Sequence, residues 1–345
     1  MKVLVTGHQG YIGTRMVPYL LEQGFDVVGM DCGFFEDCRL FPTRPTIPEL
    51  LMDVRDVTPS DLHGIDAVIH LAALSNDPLG DLDADWTFDI NHRGSVHLAE
   101  CAKAAGVGRF VFSSSCSMYG VGSDDRELTE EAEFNPVTPY AESKVLTERD
   151  LRALADDDFS PTFMRNATCY GVSPRLRADV VLNNLSAWAV TTGKIRILSD
   201  GTPWRPLVHI EDLTRAFVCV LRAERDQIHA EAFNVGVPGH NYRVRQIAEA
   251  VHRVQPSCEI EFAGESGADP RNYRVDFTKL VTRFPDYAPE WDVESGAREL
   301  YDAYLDAGLT LDRFQGTDLI RLNQLKALIE DGELDRELRW VSVLA

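Results

Sequence analysis

Long apolar runs are absent from this chain of 345 residues. None reaches the roughly 18 residues that a membrane-spanning helix needs. The first residues, Met1 to Val5, have the pattern of a buried strand and not of a signal peptide. The sequence therefore predicts a cytoplasmic protein without a membrane-embedded segment. Its 44% hydrophobic content suffices for a substantial core in one large domain or two modest ones.

Basic residues are scarce, because 34 Lys and Arg face 55 Asp and Glu and leave a formal charge of -21. Nucleic acids and acidic membrane surfaces bind to basic surfaces, so we expect neither as a partner. A small anionic ligand is compatible with this charge if helix N-termini and a few arginines hold it locally.

Cysteine pairs with the spacing of a disulfide framework or a zinc site are also lacking. The seven cysteines are scattered, odd in number and free of CxxC motifs. We therefore expect reduced thiols and no metal.

Apolar segments of strand length alternate with helical stretches through the first half of the chain. They cover residues 2–7, 26–31, 50–54, 67–73 and 109–115. This pattern predicts an α/β fold with a doubly wound parallel sheet of the Rossmann type.

A glycine-rich turn joins the first predicted strand to the first predicted helix. Its glycines allow a tight turn and bring backbone amides close to a pyrophosphate at the helix N-terminus. The residues expected to bind a dinucleotide here are Gly7, Gln9, Gly10, Tyr11, Ile12 and Gly13.

Further cofactor contacts are expected at the ends of the next strands. Asp31 is placed to accept hydrogen bonds from the adenosine ribose, and its charge favours NAD over NADP. Asp53 and Val54 are expected beside the adenine. The residues after the fourth strand, Leu71, Ala72 and Ala73, are expected to let the cofactor lie close.

Tyr140 and Lys144 are four residues apart, which places both on one face of a helix. Thr138 can cap this helix and Pro139 can be its first residue. An ammonium beside the phenol would lower the tyrosine pKa, as acid-base chemistry near neutral pH requires. A solvated helix face is the alternative interpretation of the pair alone.

These motifs, with Ser113-Ser114-Ser115 between them, resemble the extended short-chain dehydrogenase/reductase family, in particular its nucleotide-sugar epimerases and dehydratases. The resemblance implies that Tyr140 is the acid-base at a sugar hydroxyl and that Ser115 hydrogen-bonds the same hydroxyl. Lys144 would hold the nicotinamide ribose. Asn91 and Ser113 would complete the NAD site, and a homodimer is expected.

The resemblance also implies a nucleotide-diphosphate sugar as substrate. Arg205 lies in a segment, 200–212, that resembles a family signature and is the best candidate for a diphosphate clamp. The other residues expected to contact substrate are Ser75, Ser115, Ser117, Thr168, Asn184, Arg271 and Tyr273. Thr168 and Pro206 depart from the family pattern, so the sugar and the nucleotide stay open.

The reaction depends on residues 116 and 117, where many dehydratases have Asp-Glu and this chain has Cys116-Ser117. A single base with NAD as a recycled hydride carrier suffices for C4 epimerisation through a transient 4-keto sugar. The first hypothesis is therefore a nucleotide-sugar 4-epimerase. A dehydratase or oxidoreductase that uses Cys116 is the alternative, unless Cys116 is only a small buried residue. A non-catalytic NAD-binding regulator is disfavoured because the Ser, Tyr and Lys are intact.

The second half is less regular. Residues 1–165 are expected to form the NAD-binding domain, to which 206–236 return, and 166–345 mainly a substrate-binding lobe and a helical tail. Helices are predicted over 178–191 and 244–254. The amphipathic pattern over 309–340 predicts helices that pack on the body or contribute to a dimer.

Overall fold

The computed structural model describes residues 1–41, 46–75, 83–122, 126–262 and 271–341. In this part of the chain the strands are β1 (Lys2–Thr6), β2 (Asp26–Asp31), β3 (Glu49–Leu51), β4 (Ala67–His70), β5 (Arg109–Ser115), β6 (Ser160–Asn166), β7 (Thr168–Tyr170), β8 (Lys194–Ile197), β9 (Trp204–His209), β10 (Ala232–Val235), β11 (Asn241–Arg243) and β12 (Glu259–Phe262). The helices are α1 (Gly13–Glu22), α2 (Ala84–Thr87), α3 (Gly94–Ala104), α4 (Pro139–Ala153), α5 (Val181–Thr192), α6 (Ile210–Arg222), α7 (Arg225–Ile228), α8 (Val244–Val254), α9 (Thr278–Arg283), α10 (Val293–Asp306), α11 (Leu311–Gln315) and α12 (Arg321–Glu330), and a π-helix spans Phe88–Arg93. None of these helices has the length and apolarity to cross a bilayer.

Seven parallel strands form the main sheet, in the order β10-β6-β5-β4-β1-β2-β3. Buried apolar clusters cover both of its faces, one with α1 and α6 and the other with α3. The predicted doubly wound α/β fold is confirmed. Its carboxyl edge beside β1 and β4 is where such sheets bind ligands, because the strand order reverses there.

The third strand is shorter than the sequence predicts and is displaced toward the N-terminus. It ends at Leu51, because the Asp53 carboxylate accepts the Arg55 amide at 2.8 Å and starts a tight turn. Asp53 and Val54 therefore follow the strand and do not belong to it.

Helix α4 begins as the sequence predicts. The Thr138 hydroxyl accepts the Ala141 amide at 3.2 Å, and Pro139 is the first helical residue. This cap places Tyr140 in the first turn of α4, at the carboxyl edge of the main sheet. Lys144 follows one turn later in the same helix.

The remaining strands form two small sheets, β11-β9-β7 and β12-β8, which share a separate apolar cluster with α5, α8 and α10. Helix α8 has the predicted bounds. Helix α5 begins at Val181, three residues later than predicted. The predicted helical tail contains α11 and α12, with a break between them. Its apolar residues, including Leu325 and Leu334, pack against Phe34, Leu74 and Ile90 of the main body.

A buried ion pair joins α4 to β6 behind the sheet edge. Arg165 Nη2 lies 2.8 Å from Glu148 Oε2, and the two side chains are only 4% and 3% exposed. Ser114 donates to the same carboxylate at 2.6 Å. The pair therefore ties the helix that carries Tyr140 to the strands beneath it.

Replacing Glu148 by Gln should lower the free energy of unfolding by about 3–5 kcal/mol, because the buried Arg165 loses its counter-charge. Urea titration measures this loss. Glu142→Gln, on the exposed side of the same helix, is the control, with an expected change within about 0.5 kcal/mol. Equal effects of the two changes would show that the ion pair does not stabilise this region.

Candidate active site

A cavity of about 840 Å³ opens at the carboxyl edge of the main sheet. It is lined by residues at and after the carboxyl ends of β1, β2, β4 and β5 and by residues of α5 and β7. Most of the residues predicted as site residues line it. They are Gly7, Gly10, Tyr11, Ile12, Gly13, Asp31, Asp53, Val54, Leu71, Ala72, Ala73, Ser75, Ser113, Ser115, Tyr140, Lys144, Thr168, Asn184, Arg205 and Arg271.

Two glycines of the turn, Gly7 and Gly13, leave no room for a side chain. Gly7 has a positive φ of 70°, and a Cβ atom there would lie 2.8 Å from the Ala72 nitrogen. A Cβ on Gly13 would lie 2.3 Å from the Gly7 carbonyl oxygen. The backbone therefore lies bare against the cavity at the start of α1, as a pyrophosphate site requires.

Asp31 ends β2 with its carboxylate fixed by backbone amides. Gly33 donates to it at 3.0 Å and Gln9 at 3.1 Å. A carboxylate held there can accept ribose hydroxyls and repels a 2′-phosphate. Asp53 differs, because its carboxylate forms an ion pair with Arg55 at 2.7 Å. Its neighbours Met52 and Val54 supply apolar side chains to the cavity wall.

Lys144 is buried below Tyr140. Its Nζ donates to the Ser113 carbonyl at 2.8 Å and lies 5.6 Å from the centroid of the Tyr140 ring. Burial lowers the pKa of Lys144 from 10.5 to about 7, although the Glu148 carboxylate opposes this. In its ammonium form Lys144 would be a positive charge close to the Tyr140 ring.

Two hydroxyls lie at the end of β5. The Ser115 oxygen accepts the Ser117 amide at 3.1 Å, while its own hydrogen has no acceptor in the part of the chain described here. That O–H is available to a ligand in the cavity. The Ser113 oxygen accepts from Asn166 at 2.9 Å.

The opposite end of the cavity is rich in arginine. Arg205 is 8% exposed, and its Nη1 donates to the carbonyls of Trp204 at 2.8 Å and Arg271 at 2.5 Å. Arg196 and Arg271 line the same cavity. Guanidinium groups held in this way suit an anionic phosphate group.

Sequence reasoning missed Arg177 and Asp179, which line the cavity as an ion pair of 2.8 Å. Arg177 also donates to the Ser75 carbonyl and hydroxyl, both at 3.0 Å. Burial opposes its charge, but Asp179 and, more weakly, Tyr140 raise the Arg177 pKa. The only signal in the sequence is the Arg-x-Asp spacing, which does not reveal that the pair faces a ligand site.

The structure does not support a catalytic role for Cys116, one of the two interpretations that the sequence allowed. The thiol is fully buried, lies outside the cavity wall and donates to the Arg165 carbonyl at 3.1 Å. Burial raises its pKa well above the usual range. Cys116 therefore belongs to the core, the other interpretation that the sequence allowed.

Four other predicted contacts do not line the cavity with their side chains: Gln9, Asn91, Ser117 and Tyr273. The Gln9 side chain donates to Glu49 at 2.9 Å, and Tyr273 is in the core. Asn91 bonds the Leu74 amide and carbonyl at 2.8 and 3.0 Å, so it supports the loop that lines the cavity. The Ser117 hydroxyl is buried.

Taken together, the fold and cavity define a dinucleotide-binding enzyme with a Ser-Tyr-Lys site. A model of the NAD dependent epimerase/dehydratase family matches residues 3–236, so the chain belongs to that family. Because the family is NAD-dependent, the cofactor is NAD, as the sequence predicts.

Individual relatives agree with this assignment. The chain is 30% identical over 339 residues to UDP-glucose 4-epimerase of Bacillus subtilis (strain 168), covering 87% of this chain and 94% of that protein. MoeE5, solved in complex with UDP-glucuronic acid and NAD, has a TM-score of 0.77 at 25% identity and covers 89% of this chain and 100% of its own. TunA, an NAD-dependent NDP-hexosamine 5,6-dehydratase, has a TM-score of 0.79 at 22% identity, with 88% and 98% covered, which indicates a shared fold.

The buried Lys144 predicts a pH dependence of stability in the NAD-free protein. Its folded pKa of about 7 is below the ordinary lysine pKa of 10.5, so its ammonium destabilises the folded state, and this penalty is fully present below pH 7. As pH rises from 7 to 10.5, wild type should gain about 1.4 kcal/mol per pH unit relative to Lys144→Met.

Urea unfolding of both proteins between pH 6 and pH 10 measures this difference. Lys326→Met removes an exposed lysine and is the control. A constant difference between wild type and Lys144→Met across this range would contradict the assigned lysine environment.

Proposed function

We propose that this protein epimerises a nucleotide-diphosphate sugar at C4. One observation carries the proposal: Tyr140 and Ser115 line the same cavity, and among the described residues of its wall no unpaired carboxylate lies outside the adenosine end. Among the described cavity residues the carboxylates are those of Asp31, Asp53 and Asp179. The first two lie at the adenosine end, and Asp179 is paired with Arg177.

Removal of water from a sugar, or abstraction of a C5 proton, needs a further acid or base near the ring. The thiols do not supply one, because Cys116 faces the core and burial raises the pKa of Cys169 in the cavity wall. Epimerisation at C4 needs only one group that takes the hydroxyl proton and returns it.

In this proposal Tyr140 accepts the proton of the C4 hydroxyl and later gives it back. Ser115 donates its free O–H to the same oxygen and so positions it. The Lys144 ammonium stabilises the phenolate. When bound, NAD supplies the hydride acceptor and donor for C4.

The substrate diphosphate is proposed to lie at the arginine-rich end, against Arg205 and Arg271, with Asn184 and Thr168 beside it. Ser75 and Arg177 would face the sugar. The similarity to a UDP-glucose 4-epimerase along most of the chain supports a uridine nucleotide. The proposed division into an NAD domain, 1–165 with 206–236, and a mainly substrate-binding remainder suits this placement. The homodimer and the cytoplasmic location stay predictions.

The proposal is tested with UDP-glucose, UDP-galactose, UDP-glucuronic acid, UDP-N-acetylglucosamine and dTDP-glucose, each incubated with purified protein without added NAD. NMR should find the 4-epimer of at least one of them. A 4-keto or unsaturated end product, or a requirement for stoichiometric NAD, would refute C4 epimerisation.

Tyr140→Phe should lower turnover by about 10²–10⁴, because the proton acceptor is lost. The NAD content of the purified variant should equal that of wild type. Tyr301→Phe, outside the cavity wall, controls for loss of a phenol and should retain activity. Turnover near the wild-type rate in Tyr140→Phe would show that Tyr140 is not the group that accepts the C4 hydroxyl proton.

Cys116→Ala separates the epimerase from a thiol-dependent dehydratase. Because the thiol faces the Arg165 carbonyl, kcat per folded molecule should stay within about twofold of wild type, while the lost core contact lowers Tm by a few degrees. A loss of kcat by about a hundredfold or more, with Tm unchanged, would show that Cys116 takes part in catalysis.

A further inference from the structure

Arg321, the first residue of α12, reaches the NAD cavity from the C-terminal tail. It is 4% exposed, and its Nη2 donates to the Arg175 carbonyl at 2.9 Å. Its Nη1 is buried and has no hydrogen-bond partner among the described residues, because the nearby Cys38 thiol donates to the Thr317 carbonyl instead. A buried cationic donor without an acceptor is costly, so the site is incomplete without a further group.

The charges around Arg321 call for an anion. Arg175 is 2% exposed and forms no ion pair with a described carboxylate. Arg177 is paired with Asp179. Three buried or cavity-lining guanidinium groups thus share one close carboxylate, and burial lowers the pKa of Arg321. A diphosphate, with one charge on each phosphate, would balance this excess.

The position of Arg321 identifies which diphosphate. On one side its guanidinium lies 4.7 Å from the Phe35 ring centroid, just beyond the Asp31 turn that marks the adenosine end. On the other side Arg177 donates to the Ser75 hydroxyl, and Tyr140 is close enough to raise the Arg177 pKa. Tyr140 marks the reacting end. The diphosphate of a dinucleotide lies between these ends, whereas Arg205 and Arg271 line the end expected for the substrate diphosphate.

The tail that carries Arg321 is fastened to the same edge of the cofactor domain. Arg55 donates to the carbonyls of Glu337 and Leu338 at 2.9 and 3.1 Å. Trp340 donates to the Cys32 carbonyl at 2.7 Å. These contacts, with the Phe35 stack, hold the guanidinium before a ligand arrives, which reduces the entropy lost on binding.

We propose that Arg321 is a ligand of the NAD diphosphate, supplied by the C-terminal tail, and that the tail thereby retains the cofactor. The inference rests on NAD as the cofactor and is independent of the reaction at C4. Its test measures binding and needs no turnover, so its failure is distinguishable from failure of the proposed function.

NAD released by heat denaturation is measured for the purified full-length protein and its Arg321→Gln variant. Calorimetry then gives the Kd of NAD, ADP-ribose and UDP for the NAD-free forms. Loss of a charged hydrogen bond should raise the Kd of NAD and of ADP-ribose by about tenfold to a hundredfold. The Kd of UDP should change by less than about twofold, and the variant should be purified with less NAD.

Arg313→Gln is the matched control, because Arg313 lies in the same tail, binds the Arg39 carbonyl at 2.6 Å and does not line the cavity. It should leave all three affinities unchanged. An increase in the Kd of UDP alone would assign Arg321 to the substrate diphosphate and overturn the proposal. Unchanged affinities for all three ligands would give Arg321 a structural role only, and would overturn it as well.

The melting temperature of the NAD-free variants separates binding from folding. If Arg321→Gln does not fold, Arg321→Lys decides, since it keeps the charge but loses the planar fork. It should bind NAD more weakly than wild type does, with the UDP affinity unchanged. Wild-type NAD affinity in a folded Arg321→Lys protein whose Gln variant is unfolded would overturn the proposal.

Discussion

The 2.8 Å hydrogen bond from Lys144 Nζ to the Ser113 carbonyl joins α4 to β5, and the reacting end of the cavity depends on it. It holds the Lys144 side chain below the Tyr140 ring, in the cavity wall that also contains Ser115. The Thr138 cap fixes where the helix begins, and the Glu148–Arg165 pair holds its far side. The site is thus positioned by helix start, buried charge and strand end together, which gives the precision that catalysis requires.

A second constraint is the balance of charge. The chain carries -21 overall, yet five arginines of the described segments line this one cavity: Arg177, Arg196, Arg205, Arg271 and Arg321. An acidic protein repels a dinucleotide and a nucleotide sugar at long range, so their phosphates must be bound by local guanidinium groups and by amides at the glycine turn. The two arginine groups, one at the tail and one at Arg205 and Arg271, correspond to the two diphosphates in the proposed function.

The sequence was sufficient where a feature depends on neighbours along the chain. Continuous apolar segments predicted the strands, and Thr138-Pro139 predicted the start of α4. It was insufficient where a feature depends on contacts between distant segments. Cys116 starts a tight turn just after β5, and nothing local indicates that its thiol faces Arg165 and not the cavity.

The tail illustrates the same limit. Its amphipathic pattern predicted helices that pack on the body, and Leu325 and Leu334 do so. The entry of Arg321 into the cavity involves a tertiary contact with Phe35, nearly three hundred positions earlier. No periodicity in the sequence encodes that contact.

In the proposed reaction one hydrogen leaves C4 and returns to the same carbon on the other face. A nucleotide sugar that carries deuterium at C4, converted in ordinary water without added NAD, tests it most directly. We predict that the epimeric product retains the deuterium at C4. Loss of the label to solvent, or hydrogen from solvent at C5 of the product, would contradict the claim.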